Sequence, residues 1–168
     1  MKKYELIKQE SGLFRIKALK DFSIVKKGEL GGLIQKESNL SQNDDSWIFD
    51  DAVVYGNARV YGNAEIYGNA EVCGNASVYG DATVYGYARV YGNARVYGNA
   101  RVCGCADIYG NSRVYDDAMV CGVSEVYGNA EVCGNATVYG DAKVCGNAMV
   151  CGDAMVCDSI LILGTINE

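Results

Sequence analysis

Ala58-Arg59-Val60-Tyr61-Gly62-Asn63 runs without a break into Ala64-Glu65-Ile66-Tyr67-Gly68-Asn69, and the two hexapeptides together decide the fold. The period is six. Its aliphatic position is Ile48, Val54, Val60, Ile66, Val72 and onward to Val156 and Ile162, with no insertion. Side chains alternate along a strand, so a central Val points one way and its two neighbours point the other. The Ala two residues before Val shares its side. With Val inward, Ala58 and Val60 enter a core while Arg59 and Tyr61 face out. Gly62-Asn63 then makes a corner, where Asn is expected to take the left-handed backbone region at low cost. Each hexapeptide is one short strand plus one bend.

Breaks in the pattern reveal the cross-section. Asn or Asp at the corner is replaced by Tyr87, Cys105 and Val123, 18 residues apart each time. A defect at every third repeat means three hexapeptides per coil and a triangular rod of nearly seven coils. Val123 is expected to be strained if its corner is left-handed. One coil cannot stand alone. Three buried Val side chains contribute about 6 kcal/mol, and ordering one coil costs several times as much. Stability must be collective, as in other repeat architectures.

Composition agrees. The 168 residues hold 21 Gly and no Pro, which excludes collagen. No apolar run is long enough to span a membrane. Met1-Lys2-Lys3-Tyr4-Glu5 leads into alternating polar and apolar residues rather than a leader's apolar core, so a cytoplasmic location is expected. Residues 1–46 carry a net charge of +2 and residues 47–168 a net charge of −8. An acidic body disfavours nucleic acid and anionic membrane as partners.

An aliphatic first position, Asn or Asp at the fourth and a small fifth residue resemble the hexapeptide-repeat left-handed β-helix superfamily. The Val-Tyr-Gly-Asn-Ala wording follows the lead Val25-Lys26-Lys27-Gly28-Glu29-Leu30-Gly31-Gly32. Together these look closest to the bacterial YdcK-like β-solenoid proteins. The resemblance spans essentially the whole chain and implies an all-β, single-stranded, left-handed parallel β-helix. The left hand comes from the resemblance, not from the period.

Three regions are expected. Residues 1–46 form an N-terminal cap, a β-hairpin around Glu10-Ser11-Gly12 followed by a first irregular coil. Weak repeats begin at Ile34 and Leu40, and a two-residue offset precedes Ile48. Residues 47–158 form the β-helix. Residues 159–168, with Ile160, Leu161, Ile162 and Leu163, form an apolar C-terminal cap or an oligomer contact, because open strand edges need cover.

The outward columns carry the candidate sites. Glu71, Arg89, Asp107, Glu125 and Lys143 form one charged column, read as a solvated and mildly stabilising surface. Tyr61, Tyr79, Tyr97 and Tyr115 form an aromatic column beside Arg59, Arg95 and Arg113. It is read first as a stacked ladder, the alternative being a partner-binding patch, since both residue types are enriched in hot spots. Arg89, Arg95, Arg101 and Arg113 fall on neighbouring repeats as a basic band that could hold a small anion between subunits. Towards the C-terminus, Met119, Cys121, Val123, Met149, Cys151, Met155, Cys157, Leu161 and Leu163 give an apolar surface, assigned to a homo-oligomer interface, dimeric or trimeric.

Most of the eight Cys occupy the Tyr position of the repeat. Cys103 and Cys121, and Cys133 and Cys151, should stack on neighbouring coils within disulfide range. In the expected compartment they are read as reduced thiols. With no His, and with Cys on different faces, neither a structural metal nor a cofactor is expected. Hexapeptide acyltransferases typically use a His as general base, and this chain has none. It also lacks a long loop leaving the coils and a Gly-rich phosphate loop. The reading is a non-catalytic scaffold or protein-binding, self-assembling rod. The alternatives weighed are a ligand-sequestering protein using Arg/Tyr sites and, disfavoured, an acyltransferase.

Overall fold

A computed structural model describes residues 2–167. Its short strands form three sheets along a triangular rod. The first face holds parallel rungs from Leu30–Ile34 through Val53–Val54 and Glu71–Val72 to Leu161–Ile162. The second runs from Arg59–Val60 to Thr165–Asn167, and the third from Trp47–Ile48 to Met155–Val156. Rungs pair in register 18 residues apart, as in Arg95↔Arg113 and Val96↔Val114. Three sides and an 18-residue coil therefore hold. The first face carries eight parallel rungs rather than nearly seven, because the lead strand Leu30–Ile34 supplies an early one by pairing with Val53–Val54.

The core is the repeat itself. Val and Ala of each hexapeptide are buried, as are Ser112 and Ser124 at two Ala positions. A buried hydroxyl needs a partner. Ser112 Oγ donates to Tyr109 O at 2.8 Å and Ser124 Oγ to Cys121 O at 2.7 Å.

The corner differs from expectation in one respect. Glycine, not Asn, takes the left-handed conformation, as at Gly62 with φ 77°. A Cβ there would lie 2.9 Å from the Gly80 nitrogen of the next coil. Both the backbone and the coil spacing thus select Gly. Val123 is not left-handed, so the strain expected of it is absent. Its side chain projects outward, 54% exposed. Where Gly is missing, Asp50, Asp116 and Asp158 take its place with φ of 52°, 59° and 63°. Asp50 Oδ2 accepts from the Gly68 N–H at 2.9 Å, and Asp116 Oδ2 from the Gly134 N–H at 3.2 Å.

Asn at the corner serves another purpose. Its N–H donates to the Gly carbonyl one coil on, as Asn75 N to Gly92 O at 2.7 Å. Its side-chain amide then donates to the next Asn. One such amide ladder runs from Asn57 through Asn75, Asn93, Asn111 and Asn129 to Asn147. A second corner alternates Asn and Asp, with Asn63–Asp81, Asn99–Asp117 and Asn135–Asp153 each at 2.8 Å.

At the N-terminal end, β1 (Tyr4–Lys8) and β2 (Phe14–Ala18) form an antiparallel hairpin. β2 also pairs antiparallel with β3 (Leu30–Ile34). Lys3 is buried there, its ammonium donating to Ser46 O at 2.7 Å and Asp44 O at 2.9 Å. Tyr4 Oη donates to Leu40 O at 2.7 Å. Trp47 packs edge-on against Tyr4 and Phe22 and closes the core. Gly31 and Gly32 have no room for a side chain, since a Cβ would meet Ile48 at 2.5 and 2.4 Å.

Candidate binding surface

The second face is the most regular. Its column after Val holds Tyr61, Tyr79, Tyr97 and Tyr115. Their rings stack at centroid distances of 4.8, 4.9 and 5.1 Å, with planes within 3°. In-register rungs place identical side chains one strand spacing apart, which is why the ladder forms. Stacking half-buries the phenols. Burial raises the Tyr61 pKa, aided by Tyr79 and opposed by Arg59 and Arg95. Tyr115 is pushed up to about 12, first by burial and then by its hydrogen bond to Glu131.

The column before Val on this face reads Arg59, Ser77, Arg95, Arg113 and Glu131. Arg113 Nη1 donates to Glu131 Oε1 at 3.2 Å, and Tyr115 donates to the same carboxylate at 2.9 Å. Among the described residues, neither Arg59 nor Arg95 has a carboxylate within 4.0 Å. Arg95 moreover lies in register with Arg113. Like charges directly opposite are unfavourable in a sheet.

Arg59 joins two shallow grooves. One, of about 350 Å³, lies at the corner between the first and second faces and is lined by Lys36, Ser38, Asn57, Arg59 and Asn75. The other, of about 260 Å³, is lined by Ser38, Ser41, Arg59, Val60 and Tyr61. Lys36 and the two serines were not among the residues expected here. They come from the irregular first coil, which the repeat does not index, and only its stacking on Arg59 brings them to the ladder.

The remaining candidates are dispersed. Arg89 is on the first face, where its guanidinium donates to both oxygens of Asp107, at 2.8 and 2.5 Å. Asp107 raises the Arg89 pKa, chiefly through that hydrogen bond. Lys143 pairs with Glu125 at 2.7 Å on the same face. Arg101 is on the third face, between Thr83 and Met119. The four-arginine band therefore spans three faces, and two of its members are held by carboxylates.

The expected oligomer residues are likewise split. Met119, Cys121, Met155 and Cys157 belong to the third face, and Val123 to the corner beyond it. Met149 and Cys151 belong to the second face, and Leu161 and Leu163 to the first. Met155, Leu161 and Leu163 are strongly exposed and lie near the C-terminal end of the rod. Cys133 and Cys151 are joined in a disulfide with Cα atoms 4.6 Å apart, contrary to the expectation of reduced thiols. In-register stacking on adjacent coils puts the two thiols within bonding distance.

These features define a three-sided parallel β-solenoid with an 18-residue coil. The YdcK beta solenoid repeat family model matches residues 52–65, 76–92, 88–104 and 130–146, so the chain carries YdcK β-solenoid repeats. A comparison with curated proteins finds no match. Among the described residues, no helix is long and apolar enough to cross a membrane.

Proposed function

We propose that the protein is a non-catalytic binding scaffold whose second face engages a protein partner. One observation carries the reading. The flat Tyr61–Tyr115 ladder runs beside Arg59 and Arg95, which lack carboxylate partners. A rigid aromatic surface flanked by unpaired guanidinium groups suits a partner offering acidic and apolar side chains, because Tyr and Arg concentrate binding energy when desolvated. The in-register Arg95–Arg113 pair favours the same partner, since a bound carboxylate relieves its repulsion. The two grooves at Arg59 would seat the partner's end at the N-terminal side of the ladder.

The test is partner capture from host lysate by the intact rod, scored by identity rather than by total protein. Arg59→Glu with Arg95→Glu should abolish capture of a specific partner. Arg101→Glu, on the third face, should leave it unchanged. Equal loss from both variants would reduce the effect to net charge and defeat the reading.

A second reading, self-association, is favoured by the exposed Met155, Leu161 and Leu163 near the C-terminal end. Sedimentation of the purified chain at micromolar concentration checks it. Leu161→Glu with Leu163→Glu should dissolve the assembly, and a wild-type monomer would end it.

A further inference from the structure

We propose that Cys103 and Cys121 form a second oxidisable thiol pair, a dithiol–disulfide site on the third face. Six cysteines are free: Cys73, Cys103, Cys105, Cys121, Cys145 and Cys157. Neighbours on adjacent coils are 18 residues apart. By that rule Cys73 adjoins Tyr55 and Tyr91, Cys105 adjoins Tyr87 and Val123, Cys145 adjoins Tyr127 and Leu163, and Cys157 adjoins Tyr139. Only Cys103 and Cys121 adjoin each other.

Their setting repeats that of the bonded pair. Each pair occupies the position after Val on two adjacent, in-register rungs. The Cys103 N–H donates to Val120 O at 2.9 Å, and the Cys133 N–H donates to Val150 O at the same distance. Matching backbone registers hold the two Cα–Cα vectors alike, and Cβ atoms on in-register rungs point the same way. Cys133–Cys151 thus demonstrates on one face what the backbone offers on another. Burial raises the Cys121 thiol pKa, and the neighbouring Cys103 adds to the shift.

Accessibility orders the chemistry. Cys103 is buried, while Cys121 is half-buried. Cys121 is the entry thiol. Its thiolate attacks one sulfur of a low-molecular-weight disulfide, forms a mixed disulfide and expels one thiolate. The Cys103 thiolate then attacks Cys121 Sγ, forms the intrachain bond and expels the second. Two cysteine thiols are oxidised and the external disulfide is reduced to two thiols, which take up the two protons released. The product links two consecutive coils across the third face, beside the exposed corner of Tyr87, Cys105 and Val123.

The experiment uses the full chain and its Cys105→Ser variant, each treated with oxidised glutathione, quenched by alkylation and digested without reduction. Cleavage after Arg, Lys and Glu separates Cys121 from Cys133 at Glu125 and Glu131. The expected result is joint loss of the Cys103 and Cys121 thiols and recovery of a Cys103–Cys121 linked peptide in both proteins. Intact mass should show the additional loss of two hydrogens and no second chain. The proposal is overturned if both thiols stay alkylatable after Cys133–Cys151 has formed. Stable glutathione adducts, a Cys103–Cys105 bond or a link between chains would overturn it equally.

Discussion

At the residue scale, the corner divides its labour between Gly and Asn. Gly supplies the left-handed bend and leaves room for the next coil; Asn supplies the hydrogen-bond ladder. Gly92 has φ 68° and a Cβ there would lie 3.0 Å from the Gly110 nitrogen. Gly92→Ala should therefore destabilise by about 1–3 kcal/mol, from left-handed strain plus displacement of the neighbouring coil. Asn93→Ala removes one rung of the amide ladder and should cost about 1 kcal/mol. Urea unfolding of the two variants checks them, and a cost near zero for either would contradict this division.

Lys3 gives a pH-dependent expectation at the same scale. Burial outweighs Asp44 and lowers its pKa from 10.5 to about 8. The unfolded chain then binds more protons than the folded one between those values. Stability from this group is lowest below pH 8, rises with pH through the window and levels off above 10.5. The unfolding free energy of wild type minus that of Lys3→Met should rise across the window by roughly 2–3 kcal/mol.

At the element scale, each rung contributes little alone, and the column is the effective unit. A rung buries one Val and one Ala, and its outward neighbours gain from the coils above and below. Val96→Ala removes fully buried methyl groups and should cost about 2 kcal/mol. Exposed pairs such as Lys143–Glu125 should matter far less, because solvent screens them. The Cys133–Cys151 link closes a single 18-residue coil. Its reduction should lower stability by about 3 kcal/mol through the entropy returned to the unfolded chain. A denaturation midpoint that does not move with reductant would count against it.

At the scale of the whole molecule, the rod presents three unlike surfaces. The first face pairs most of its charge, through Arg89–Asp107 and Lys143–Glu125. The second sets its tyrosine ladder beside Arg59 and Arg95, which lack carboxylate partners, whereas the Tyr91–Tyr109–Tyr127 ladder of the first face stands beside paired charges. The third carries the proposed thiol pair and borders a corner with exposed Tyr87 and Val123. A binding scaffold requires such asymmetry, because a partner must distinguish one side from another. Covalent trapping extends the prediction to this scale. A photo-crosslinker at Ser77 on the second face should capture the partner, and one at Thr83 on the third face should not.

The sequence by itself determined the three-sided solenoid. An uninterrupted period of six placed Val and Ala inside, and the recurrence of Tyr87, Cys105 and Val123 set the 18-residue coil. It also placed the Tyr61–Tyr115 ladder, because identical residues at that spacing must stack. The identity of the left-handed residue was open to misreading, since Gly and Asn are adjacent and both tolerate the region; only the φ values and the coil-to-coil distance select Gly. Which arginines face a carboxylate follows from the same 18-residue column, since Arg59 and Arg95 precede Ser77 and Arg113 by one coil; the tertiary structure decided the geometry of the contacts. Arg59, Arg89, Arg95 and Arg113 occupy equivalent repeat positions, but only Arg89 and Arg113 find a carboxylate on the following coil. The grooves at Arg59 and the burial of Lys3 belong to the irregular N-terminal coil. There no period relates the residues, and contact depends on how the chain closes over the first regular rung.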